Sequence, residues 1–222
     1  MKNLVSIALI FAVVVSSCNR DEYLIDGGVA SPELNMSTYE FLASRTLFDT
    51  LVMAINKAGL RELLDKEEVT FFAPTNFSFK SHMDERTRLG KTSTNNPDYV
   101  FTFEDFTAEE LRDSLQSYIF SGKIYRQDLT PQGYIFTALS GTQSRISLEP
   151  RKDYTDQLTT NPSYVYLTRK RGLRWDAWDA ENVSNTEKDV QVRIQTSGLI
   201  STNGVIHVLP NNHRLFFLNQ LN

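Results

Sequence analysis

The chain has 222 residues, 41% of them hydrophobic and 23% charged, with a formal net charge of -4 at pH 7. Such a balance suits a globular protein long enough to bury a sizeable core, and it gives no electrostatic footprint for nucleic acid, which would need a basic stripe. With a single cysteine the chain has no internal disulfide and no paired-cysteine metal motif, so its fold must be held by the core.

In chain order, Lys2 precedes an apolar stretch from Leu4 to Val15 that closes on the small pair Ser16-Ser17. This is the layout of a signal peptide, and the stretch is shorter than the roughly 20 apolar residues a membrane span requires. Val15-Ser16-Ser17-Cys18 resembles the lipobox of bacterial lipoproteins. The resemblance implies that residues 1–17 are removed and that Cys18 carries the lipid. At about 0.8 kcal/mol per buried CH₂, a multiply acylated Cys18 would hold the chain on a membrane. Asn19-Arg20-Asp21-Glu22-Tyr23 is similar to the export signal of Bacteroidetes surface lipoproteins, with Arg20 where Lys is usual. The expected location is the outer membrane, facing the cell exterior, with the periplasmic face as the alternative. Residues 18–35, which include Gly27-Gly28 and Ser31-Pro32, read as the lipidated cysteine and a flexible tether, and residues 36–218 as a single domain.

Ser37-x-x-Glu40 and Thr46-x-x-Asp49 each set a capping hydroxyl three residues before a carboxylate, as at a helix start. Phe48, Leu51, Val52 and Ile55 then recur at helical spacing up to Gly59, and Leu60, Leu63 and Leu64 predict a further short helix. Val69 to Ala73 is β-branched and aromatic and predicts a strand ending at Pro74. The polar stretch from Lys80 to Asp98 reads as an inserted loop. Thr107-x-x-Glu110 starts another helix, with Leu111, Leu115, Tyr118 and Ile119 as its stripe. Strands follow at Tyr134–Leu139 and Arg145–Leu148 around the Ser140-Gly141 turn, then at Tyr164–Thr168, Val190–Thr196 and Gly204–Leu209. Helices first and strands afterwards predict an α+β domain with a mainly antiparallel sheet.

Two segments carry a family resemblance. Thr70-Phe71-Phe72-Ala73-Pro74-Thr75-Asn76-Phe77-Ser78-Phe79 resembles the first signature of fasciclin (FAS1) domains, and Asn203-Gly204-Val205-Ile206-His207-Val208-Leu209 resembles the second. The resemblance implies a FAS1-like α+β fold, N-terminal helices packed on a mainly antiparallel β-sandwich or wedge. It also implies a non-catalytic surface module that adheres through an extracellular protein or glycan. Thr70, Phe72, Ala73, Pro74, Asn76, Asn203, Gly204 and His207 are read as fold-specifying: Pro74 sets φ, Asn76 caps the next helix, and Asn203-Gly204 allows a positive φ before the last strand. The chain departs from the family at Ser117-Tyr118, where many members carry Tyr-His, and at Pro210.

No nucleophile elbow, phosphate-binding loop or zinc motif occurs, so neither an enzyme nor a cofactor is expected. His207, between Ile206 and Val208 in a strand, reads as a buried histidine bonded to backbone. Asp176, Asp179, Glu181 and Asp189 do not follow a calcium-loop spacing and read as solvated acids, and no metal is expected. Trp175 and Trp178, with Arg174, are the candidate ligand-binding residues. Two indoles in a polar insertion either stack on sugar rings or pin the insertion to the core. With the first role, the chain would serve as an accessory glycan-binding lipoprotein of an outer-membrane polysaccharide-uptake system.

Overall fold

The computed structural model describes residues 32–151, 162–176, 183–184 and 186–217. All the elements below belong to one unit, Glu33–Asn222. Helix α1, Thr38–Ala43, begins in a capping box in which the Ser37 side chain accepts from Glu40 N and the Glu40 carboxylate accepts from Ser37 N, the reciprocal arrangement that the Ser-x-x-Glu spacing predicts. The second capping pair is used differently. Thr46–Phe48 forms a 3₁₀ turn, and α2, Asp49–Ala58, starts without a cap from its own N-terminal residue. Gly59 ends α2 at φ 70°, a left-handed conformation that glycine adopts freely. Helix α3, Arg61–Lys66, then leads into strand β1, Val69–Ala73.

The expected loop from Lys80 to Asp98 is instead mostly helix: α4 runs from Asn76 to Thr94. It lacks a broad apolar stripe. Phe79 and His82 are buried on one side, while Lys80–Asp84 and Glu85–Arg88 pair along its solvent side and Arg86 reaches Glu110 at 2.9 Å. Pairs at these spacings support a polar helix, and Asn95 in a left-handed conformation ends it. Helix α5, Ala108–Gln116, capped by Thr107, stops short of Tyr118 and Ile119; Ile119 already belongs to β2, Ile119–Ser121.

Six more strands follow: β3 Tyr134–Thr137, β4 Gln143–Pro150, β5 Ser163–Arg169, β6 Val190–Arg193, β7 Thr196–Ile200 and β8 Gly204–Val208. They form two four-stranded sheets, in the orders β2-β1-β8-β7 and β3-β4-β5-β6. All the strand pairs are antiparallel except β1 with β8, which run parallel with Val69 opposite Gly204 and Ala73 opposite Val208. One core joins the helices to both sheets. It contains Leu51 and Ile55 of α2, Phe71 and Phe72 of β1, and Ile146, Leu167 and Val192 of the second sheet.

The last residues of the expected tether also join the fold: Leu34 N–H donates to Ile200 O at 2.6 Å and Thr202 N–H to Met36 O at 3.0 Å, beside the edge strand β7. Among the described residues no helix is long and apolar enough to cross a membrane.

Candidate functional site

The two signature segments meet on adjacent strands, and Thr70, Asn76, Asn203 and His207 each have a structural partner there, while the buried Ser78 hydroxyl has none. Thr70 Oγ1 donates to Gly122 O at 2.8 Å and accepts the Ile124 N–H at 2.7 Å, fastening the chain that leaves β2. Asn76 does not cap its own helix; Thr75 stands at that position. Its side chain instead accepts the Thr50 N–H at 2.9 Å and donates to Thr46 O at 2.6 Å. Asn76 thus caps α2, supplying a partner to one of the amides that every helix start leaves unpaired. The same segment buries Phe79 completely and leaves Phe77 53% exposed.

Asn203 and Gly204 also differ from expectation, because neither has a positive φ. Asn203 Oδ1 accepts from Thr38 N at 2.9 Å and Ser201 Oγ at 3.3 Å, while Nδ2 donates to Leu64 O at 3.1 Å and Glu67 O at 3.0 Å. The buried amide therefore ties the start of α1 and the end of α3 to the turn before β8. Glycine follows it for want of space: a Cβ on Gly204 would lie 2.3 Å from Val69 O.

His207 is fully buried. Its ring stacks on Phe72, with centroids 4.7 Å apart. Nδ1 accepts the Gly198 N–H and Nε2 lies against Ile124 O, both at 3.3 Å. Only the neutral imidazole with its proton on Nε2 satisfies both contacts, and burial pushes its pKa down to about 4. His213 is likewise buried, with its pKa pushed down to about 3 by desolvation. The Phe216 N–H donates to Tyr118 Oη at 2.7 Å, which directs the hydroxyl proton to His213 Nε2 at 2.8 Å. This pairing joins residues 95 positions apart, and no local pattern in the sequence announces it. His82 is buried between Phe106 and Phe216, and burial together with Arg86 lowers its pKa. All three histidines are thus packing elements.

Of the candidate ligand residues, Trp175 is only 9% exposed, with Lys170 Nζ 5.9 Å from its ring centroid, so the indole offers little face to a sugar. Arg174 is exposed beside it. Trp178, Asp179, Glu181 and Cys18 lie outside the described residues. Asp176 and Asp189 are drawn together by each other's backbone amides, Asp176 N–H donating to Asp189 Oδ2 at 3.0 Å and Asp189 N–H to Asp176 Oδ2 at 2.5 Å. Among the described residues no group of three or more His, Cys, Asp or Glu is placed to hold a metal ion.

A recess of about 280 Å³ opens at the β6 edge of the second sheet, lined by Arg151, Gln191, Val192, Arg193, Pro210 and Asn212. Two arginines and two amide residues are among those lining it. Alternation along β6 buries Val190 and Val192 and turns Gln191 and Arg193 outward. The guanidinium carbon of Arg193 lies 4.9 Å above the Tyr164 ring centroid, a cation–π contact that restrains a flexible side chain. Gln191 Nε2 donates to Glu149 Oε1 at 3.1 Å, and the same oxygen accepts from Ser147 Oγ at 2.6 Å. What this arrangement offers chemically is anion recognition, with amide groups beside it for hydroxyl partners.

The family model of the fasciclin domain matches residues 46–211 and so spans both signature segments. Among solved structures, the chain is similar to a FAS1 domain pair from the insect cell adhesion molecule fasciclin I. The identity is 12%, the TM-score 0.38, and the alignment covers 81% of this chain and 44% of that one. This chain therefore spans less than half of the length of that domain pair. No curated protein matches it.

Proposed function

Because the chain belongs to the fasciclin domain family, we propose that it is a membrane-anchored, non-catalytic interaction module of the cell surface, adhering through an extracellular protein or glycan. Fasciclin domains are generally adhesion modules. The family match over residues 46–211 carries the reading, and the lipobox-like Val15-Ser16-Ser17-Cys18 supports the anchor. The internal bonding of the signature residues suits it too. Thr70, Asn76, Asn203 and His207 are occupied in holding the fold, so binding belongs to outer surfaces.

A second reading, an accessory glycan-binding lipoprotein of a polysaccharide-uptake system, draws support from the polar, cationic recess at β6. The burial of Trp175 counts against that ring as its sugar platform.

The test is to express the full chain and its Cys18→Ala variant, label with a palmitate analogue, and treat intact cells with protease. Labelling that requires Cys18, together with surface cleavage and binding to immobilised matrix proteins or glycans, is the expected result. Cys18-independent labelling or complete protection from protease would overturn the anchored, outward-facing reading. Failure to bind any immobilised protein or glycan would overturn adhesion.

A further inference from the structure

The β6 edge of the second sheet gathers arginines in a chain that is acidic overall. Strand alternation and register place Arg151 on the same side of the sheet as Gln191 and Arg193 of β6, opposite the buried Ile146, Leu167 and Val192. Glu149 is the carboxylate on this stretch of β4, and its Oε1 is engaged by Ser147 and Gln191. The formal net charge of the whole chain is -4. A local excess of positive charge against that background focuses anionic ligands onto the edge.

The recess at the β6 edge adds shape to that charge. Its volume of about 280 Å³ sits just below the range of small-molecule pockets, enough for a sugar-sized group and more than a bare inorganic anion needs. Its lining is mostly polar: Arg151, Gln191, Arg193 and Asn212 against Val192 and Pro210. A peptide anchor would seek an apolar pocket for an aromatic or aliphatic side chain. Amides that both donate and accept, set beside guanidinium forks, suit a ligand that carries hydroxyls next to a carboxylate or sulfate. Arg193 is also restrained by the Tyr164 ring beneath it, which lowers the entropy lost when it binds.

We propose that this recess binds an acidic polysaccharide, Arg151 and Arg193 taking the carboxylate or sulfate and Gln191 and Asn212 the neighbouring hydroxyls. The inference rests on the reading of the chain as a surface binding module and names its ligand class.

The experiment is calorimetric titration of the full chain with four probes: polygalacturonate, heparin oligosaccharides, neutral dextran and polyglutamate. Binding of a carboxylated or sulfated saccharide is expected, with no dextran binding, and the two acidic saccharides tell which anion the site prefers. Affinity should fall as salt rises, because an exposed charged edge is screened. The Arg151→Gln/Arg193→Gln variant should bind about tenfold more weakly or worse, since charge-assisted bonds to two guanidinium groups are lost. Arg88→Gln, on the solvent side of α4, should bind as the parent does. If the double variant loses its fold, Arg193→Lys serves instead: it keeps the charge, loses the planar fork, and should still weaken binding. Undiminished binding by the Arg variants would overturn the site, and equal binding of polyglutamate would overturn the saccharide in favour of an acidic peptide. Absence of acidic-saccharide binding, with adhesion to an immobilised protein retained, would overturn this inference alone. Absence of all adhesion would overturn the broader reading as well.

Discussion

Replacing Asn203 by alanine removes an amide that bonds to four groups from three parts of the chain. Two of those groups cannot recover by hydration. Thr38 and Leu64 are 0% exposed, so the Thr38 N–H and the Leu64 carbonyl are left buried without this partner. The Glu67 carbonyl belongs to an exposed residue and regains water. At about 1–3 kcal/mol for each stranded buried group, the expected loss is ~4 kcal/mol, a large part of the roughly 5–15 kcal/mol that holds a domain folded. Urea unfolding followed by circular dichroism, with parent and variant compared at unchanged m-value, reads the difference directly. Asn203→Asp sharpens the test: it keeps the shape but turns the Nδ2 donor into a carboxylate oxygen facing two carbonyls, and should be at least as damaging at pH 7. An Asn203→Ala midpoint within about 0.5 kcal/mol of the parent, the size of an ordinary surface substitution, would refute the hub role.

Acid should weaken the fold through its histidines. The folded pKa values of His207 and His213 lie at about 4 and about 3, below the ordinary value of ~6.5, so the unfolded chain takes up protons first. Their stabilising effect is complete above about pH 6.5 and declines as the pH falls towards those folded values, costing ~2 kcal/mol per histidine between pH 7.5 and 5.0. Burial of His82 acts in the same direction. The carboxylates of Glu62, Glu85 and Asp105, whose pKa values are lowered by Lys66, Arg88 and Thr102 respectively, act in a lower pH range. Equal unfolding midpoints at pH 7.5 and 5.0 would contradict this account, as would an unchanged pH slope in a His207→Gln/His213→Gln variant. Gly204→Ala should cost about 3 kcal/mol by pushing β8 away from Val69 O. A melting temperature unchanged by that substitution would show that the strands yield freely.

The elements that could be read from the sequence are those whose cause is local. The Ser37 capping box, the Gly59 stop and the Gly141 turn, at φ 81°, each depend on residues a few positions apart. The burial of His207 followed from its place between Ile206 and Val208. Helix α4 was missed because its residues are polar almost all round. Its support comes from charge pairs along its surface and from Arg86 reaching Glu110 and the Phe101 ring, contacts that hydrophobic periodicity does not report. The parallel pairing of β1 with β8 was missed for a related reason, since alternation within a strand says nothing about its neighbour.

By itself, the sequence determined the α+β class and the two signature strands, because composition, spacing and backbone preference act over short distances. Only the tertiary structure decided what the signature residues do: Asn76 caps a helix from 26 residues away, Asn203 joins α1 to α3, and Gly204 makes room for Val69 O. Only the tertiary structure, too, brought Arg151 at the end of β4 beside Arg193 of β6 and Asn212 beyond β8. Hydrogen bonds, excluded volume and converging charge depend on positions in space, and residues far apart along the chain acquire those positions only when the sheets and helices pack.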